Sequence, residues 1–120
     1  MRVLHVEDNP VDADLTQRRL ARSAPEIDLA RVDCLAAARA CLDHPEDYDL
    51  ALIDLRLPDG SGLELLAEIR ARALPLAVVM LTGSGDQEAA IAALQAGADD
   101  YLTKGESSQE RLAATLRDAF

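Results

Sequence analysis

Short, continuous apolar runs alternate with helix-period patterns along the whole chain, and this constrains the fold more than any other feature. Leu50–Asp54 (LALID) and residues 76–81 (LAVVML) carry no polar alternation, as expected of strands buried on both faces. Residues 2–7 (RVLHVE) read as another strand, 27–32 as a weaker one interrupted by charges, and 99–103 as a fifth. The intervals read as helices. Asn9-Pro10 opens the first, since Asn caps well and Pro suits the first turn; Leu15 and Leu20 give it part of an apolar face up to about Ser23. Residues 35–42 are Ala-rich. Ser61 and Glu64 form a capping-box pattern ahead of Leu63, Leu66 and Ile69. Asp86 is placed to cap a helix running to Gln95, with Gly97 to end it, and Ser107 with Glu110 repeats the box before a last helix reaching Phe120.

Five strand–helix repeats of this length require parallel strands and right-handed crossovers, with helices on both faces. The expected fold is α/β, a doubly wound five-stranded parallel sheet in which ligands bind beyond the carboxyl ends of the strands. In the order 2-1-3-4-5, strands one and three flank the switch point. The 120 residues fit one domain spanning 1–120. Tyr48, Tyr101 and Phe120 are the only aromatic residues, so the core must be aliphatic. With 22 acidic and 12 basic residues the net charge is −10, which argues against direct nucleic-acid binding. Cys34 and Cys41 are too few for a disulfide scaffold or a zinc site, which points to a reducing cytoplasm. No apolar stretch approaches the ~20 residues of a membrane span, and the acidic turn at Glu7 argues against an ordinary signal peptide.

The polar residues at strand ends carry the chemistry. Glu7 and Asp8 end strand one, Asp54 ends strand three, Thr82 strand four and Lys104 strand five. On the expected sheet all of them share the ligand-binding edge. Three carboxylates meeting there would repel and take up protons unless a cation intervened. Mg²⁺ suits the site, because it prefers oxygen ligands and commonly binds one or two carboxylates plus a phosphate. Glu7 and Asp8 can hold the metal while Asp54 attacks phosphorus and Lys104 neutralises the oxygens. Each residue taken alone has a plainer reading: Asp8 as a helix cap, Asp54 as a surface carboxylate, Thr82-Gly83 as turn chemistry, Lys104 as a solvated cation. However, Lys104 is the only lysine, the other eleven basic residues being arginine. The two cations are not interchangeable at a small phosphate site.

These residues stand within Val6-Glu7-Asp8-Asn9, Leu52-Ile53-Asp54-Leu55, Leu57-Pro58-Asp59-Gly60-Ser61-Gly62, Leu81-Thr82-Gly83 and the run from Ala96 to Lys104 (AGADDYLTK). In these motifs the chain resembles the receiver domain of two-component response regulators, over its whole length. The resemblance implies a flavodoxin-like (βα)5 fold and makes Asp54 the phosphoacceptor, with a phosphohistidine on a sensor histidine kinase or histidine phosphotransfer protein as donor. It implies that Glu7, Asp8, Asp54 and the Arg56 backbone carbonyl hold Mg²⁺. It also implies that Thr82 binds the phosphoryl oxygens, that Tyr101 is the switch aromatic, and that Arg56 and Ser84 flank the path of the hydrolytic water. The module would catalyse only its own phosphorylation and dephosphorylation, and would signal to a partner or to an output domain following Phe120.

One departure concerns the pair Lys104-Gly105, where receivers usually have Lys-Pro with a cis bond. A cis bond before glycine costs roughly 2.5–4 kcal/mol, so a trans bond and a different loop path are expected. Asp99-Asp100 with Arg111 and Arg117 resembles half of a dimerisation charge pattern, but the preceding helix offers only Gln87, Glu88 and Gln95, so this face supports dimerisation weakly. His5 within strand one reads as packed or edge-facing, and His44 as complementing a helix C-terminus. Two rival readings are a phosphorylation-independent scaffold, opposed by the complete site, and a flavodoxin-like or aspartate-dependent phosphatase domain. The latter would need a second Asp where Arg56 stands, or more aromatic surface for a flavin.

Overall fold

The computed structural model describes residues 1–83, 86–104 and 111–120. Five strands form one parallel sheet: β1 (Arg2–Val6), β2 (Asp28–Val32), β3 (Leu50–Asp54), β4 (Ala77–Thr82) and β5 (Asp100–Thr103), in the order β2-β1-β3-β4-β5. The helices are α1 (Pro10–Ser23), α2 (Leu35–Cys41), α3 (Gly62–Ala71), α4 (Gln87–Gln95) and α5 (Leu112–Ala119). The expected architecture and strand order are both observed.

The period-2 alternation of β3 explains why the core has two halves. Ala51 and Ile53 face a cluster with Leu35 and Ala38 of α2, Leu42 just after it, and Leu65, Leu66 and Ile69 of α3. Leu50 and Leu52 face the opposite cluster, which holds Leu20 of α1 and Leu112 and Leu116 of α5. All five β3 residues are buried, as a continuous apolar run between two helical layers requires. β2, at the sheet edge, is only partly buried, consistent with its interrupting charges.

Local signals hold at several boundaries. Asn9 Oδ1 accepts from the Val11 and Asp12 amides, starting α1. Ser61 N donates to Glu64 Oε2 at 2.7 Å and Ser61 Oγ accepts from Leu63 N at 3.2 Å, completing the expected capping box. Gly97, at φ +105°, ends α4 in a conformation that favours glycine.

Other expectations need correction. Leu15 does not face the core: it is exposed, and the buried stripe of α1 is Ala13, Thr16 and Leu20 at helical spacing. Asp86 occupies the N-cap position of α4 but makes no side-chain cap bond. Its carboxylate instead accepts from Gly83 N at 3.2 Å and Arg56 Nη2 at 2.7 Å. Of the charges weighed for dimerisation, two are engaged within the chain: Asp99 takes Val78 N and Arg70, and Arg117 pairs with Glu26. His44 is exposed beside Glu46, past the end of α2. Ser84, the Lys104–Gly105 bond and the box of Ser107 and Glu110 lie outside the described residues.

Candidate phosphoryl and metal site

The parallel register brings the strand ends together. Val6 of β1 lies beside Ile53 of β3, and Asp54 beside Leu81 of β4, so Glu7, Asp8, Asp54 and Thr82 converge at one edge. Lys104 is drawn in by its backbone N–H, which donates to Thr82 O at 2.8 Å. Glu7, Asp8 and Asp54 each present a carboxylate oxygen within 4.8 Å of the others. Glu7 is 1% exposed and Asp54 6%, whereas Asp8 is open to solvent.

The Lys104 ammonium sits among these acids, 2.5 Å from Glu7 Oε1, 2.9 Å from Asp54 Oδ2 and 3.1 Å from Asp12 Oδ2. Burial pulls its pKa down, but the hydrogen bonds to Glu7, Asp54 and Asp12 outweigh this and hold it above the usual lysine value. Glu7 behaves oppositely to an exposed acid. Burial, and then its contact with Asp54, push its carboxyl up to about 8, against the pull of Lys104. One ammonium therefore does not balance the cluster. Glu7 Oε2 is buried with no hydrogen-bond partner among the described residues. An orphaned carboxylate oxygen within an all-oxygen trio fits a hard divalent cation such as Mg²⁺.

The other expected residues fall around this centre. Thr82 is buried, and its hydroxyl donates to Leu102 O at 3.4 Å. Tyr101 is 37% exposed on β5, turned outward. The Arg56 amide lies 3.5 Å from Asp54 Oδ1, while its guanidinium reaches across to Asp86. His5 is buried beneath the site; burial, then Lys104 and Arg31, lower its pKa to about 4, so it is neutral at pH 7.

Three contributors escaped the sequence reading. Asp12, in the first turn of α1, joins the Lys104 cluster across 92 positions. Its only sequence signal was an acidic residue near a helix N-terminus, which already has a dipole explanation. Arg31 of β2 clamps the end of β1, donating to Glu7 O at 3.0 Å and Asp8 O at 3.4 Å. Asp59, in the turn after β3, accepts from the Leu35 and Ala36 amides at 2.8 and 3.1 Å, tying the β3–α3 loop to the N-terminus of α2.

A family model for the response regulator receiver domain matches residues 3–117. The chain belongs to the receiver-domain family of response regulators. Receivers are signalling modules of two-component systems, and accepting a phosphoryl group is their general role. The similar curated proteins include the response regulator PilR of Pseudomonas aeruginosa, 41% identical over 103 residues, and the transcriptional regulatory protein CutR of Streptomyces coelicolor, 36% identical over 113 residues. The match covers 86% of this receiver and 22% of PilR, and 94% of this receiver and 51% of CutR, so the chain spans at most about half of either. Among solved structures, the receiver resembles the receiver domain of the TMAO respiratory system response regulator TorR, with a TM-score of 0.82 and 28% identity over 98% of this chain and 93% of that one. It also resembles a Mn²⁺-bound form of the response regulator Rcp1, with a TM-score of 0.75 and 32% identity over 98% and 88% of the two chains. Among the described residues, no helix of the receiver is long and apolar enough to cross a membrane.

Proposed function

We propose that residues 1–120 form one cytoplasmic switch unit in which Asp54 accepts a phosphoryl group from a phosphohistidine on a sensor kinase or phosphotransfer protein. The observation that carries this reading is the Lys104 ammonium 2.9 Å from Asp54 Oδ2, beside a carboxylate trio within 4.8 Å. Glu7, Asp8, Asp54 and the Arg56 carbonyl would hold Mg²⁺, which when bound supplies positive charge against the phosphoryl oxygens.

An Asp54 carboxylate oxygen attacks phosphorus, the O–P bond forms, and the P–N bond to the donor imidazole breaks. The departing imidazole nitrogen keeps the electron pair and takes a proton. Lys104 meets the transferred oxygens, and Thr82 gives up its bond to Leu102 O to reach another. The inward turn of Thr82 leaves room for Tyr101 to follow, changing the surface of the last two strand–helix units. An output domain or a separate partner reads that surface. Hydrolysis closes the cycle: water attacks phosphorus, inorganic phosphate leaves, and the Asp54 carboxylate is restored.

Incubation with a small acyl-phosphate donor and Mg²⁺ is expected to add one phosphoryl group, located by mass spectrometry on the peptide carrying Asp54, with Tyr101 less exposed afterwards. Labelling that persists in EDTA, or that maps elsewhere, would contradict this assignment.

Arg56 bears on lifetime. Its pairing with Asp86 at 2.7 Å carries the guanidinium from the β3–α3 loop to the start of α4. Arg56→Ala is expected to speed loss of the phosphoryl group on the order of severalfold, since the lost shielding is a fraction of the 1.36 kcal/mol that equals tenfold. Thermal stability should change little, because the Arg56 side chain is largely exposed, although its partner Asp86 is mostly covered. A decay rate equal to wild type would show that Arg56 does not screen the site.

A further inference from the structure

Lys104 has three N–H donors, and the resting structure uses all three, on Glu7, Asp54 and Asp12. Two of these acceptors belong to the carboxylate trio suited to a cation, and Asp54 is the group to be phosphorylated. Asp12 belongs to neither set. It sits in the first turn of α1, where Asn9 caps the helix and the dipole favours a negative charge. Its backbone position is therefore set by α1 and not by what occupies the site. An oxygen of a phosphoryl group on Asp54 must compete for the ammonium with an acceptor anchored on α1.

We propose that Asp12 is a positioning residue that holds the Lys104 ammonium toward α1 in the resting state and thereby weakens its grip on an incoming phosphoryl group. Asp12 touches neither the phosphoryl group nor the metal ligands in this scheme; it acts through Lys104. Its effect opposes that of an ordinary supporting contact, because removing it strengthens the phosphorylated state. This role rests on Asp54 as the phosphoacceptor. It gives the module a threshold, set by an acid that the metal and phosphoryl chemistry do not otherwise need.

The test compares wild type, Asp12→Asn, Asp12→Glu and Asp54→Asn in binding beryllofluoride with Mg²⁺, together with Mg²⁺ affinity alone and thermal stability. Asp12→Asn is expected to bind beryllofluoride roughly two- to fivefold more tightly, the range of a part-exposed ion pair. Asp12→Glu should lie near wild type. Mg²⁺ affinity alone should not rise, since a negative charge has been removed. Because Lys104 is the only lysine, ¹⁵N-lysine labelling gives one ammonium signal. That signal should shift between wild type and Asp12→Asn in the resting protein. A merely structural Asp12 would lower stability without tightening the mimic. Asp12 has no such role if Asp12→Asn binds beryllofluoride no more tightly than wild type, or if the resting lysine signal does not move. If wild type fails to bind the mimic, or Asp54→Asn binds it equally well, the assignment of Asp54 fails first and this role with it.

Discussion

Asp54→Asn is expected to abolish phosphoryl labelling and, at the same time, to raise the stability of the metal-free protein. The first effect follows from losing the nucleophilic carboxylate. The second follows from the charge balance. Glu7, Asp8 and Asp54 lie within 4.8 Å of one another, and a single ammonium serves Glu7, Asp54 and Asp12. The loss of the Lys104–Asp54 attraction opposes the gain from relieved repulsion. Glu7 indicates which wins: burial and Asp54 raise its carboxyl to about 8 despite Lys104 at 2.5 Å. After the substitution Lys104 keeps Glu7 and Asp12, and the Asn oxygen can still accept from it. A gain of about 1–2 kcal/mol is expected, the equivalent of roughly one pKa unit of relieved repulsion.

The pH dependence has a definite sign. With a folded pKa near 8 against 4.5, Glu7 binds more proton in the folded than in the unfolded wild type over that window, so wild-type stability falls as pH rises through it. Asp54→Asn lowers the Glu7 pKa, so the stability gap should widen in EDTA over the upper part of that window, as pH approaches 8, and narrow with saturating Mg²⁺. Denaturant titration at several pH values checks this. A metal-free variant less stable than wild type at pH 8 would show that attraction, not repulsion, governs the cluster.

What was legible in the sequence was what depends on short range. Strand β3 announced itself because a strand buried on both faces must be apolar throughout, and Asp54 stood out because it closes such a run. Once parallel strands were inferred, the convergence of Glu7, Asp8, Asp54, Thr82 and Lys104 followed from topology alone. Contacts that need three-dimensional reach were not legible. Nothing near Asp12 signals Lys104, and nothing near Asp59 signals the α2 amides 24 positions earlier. Leu15 differs for another reason: burial on α1 follows the angle around the helix and not side-chain hydrophobicity, so Ala13 and Thr16 are covered while Leu15 is exposed. Asp86 failed as a cap because Arg56 and the Gly83 amide, both outside α4, compete for its carboxylate.

Gly62→Ala should be the most damaging single-methyl change near the site. Gly62 begins α3, and its N–H donates to Leu55 O at 2.7 Å, pressing the helix start against the end of β3. A β-carbon there would collide with the backbone oxygen of Asp54 and come within 2.9 Å of Ile53 Cγ2. The first obstacle is main chain in a central strand paired on both sides, so it cannot turn aside as a flexible side chain would. Either α3 lifts off β3 or the end of β3 shifts, and both displace Asp54. Overpacking of this kind costs about 3 kcal/mol, which lowers the melting temperature by roughly 10 °C in a domain of this size. The fraction that still folds should label more slowly, on the order of ten- to a hundredfold, because misplacing a reacting atom by about 1 Å costs that much. Gly83→Ala is the matched control. Among the described residues its β-carbon would meet only Asp86 Oδ2 at 3.1 Å, a carboxylate end that can rotate. Thermal melts and labelling rates on both variants separate the cases. If Gly62→Ala melts and labels like Gly83→Ala, the close approach of α3 to the Asp54 backbone does not set the position of the phosphoacceptor.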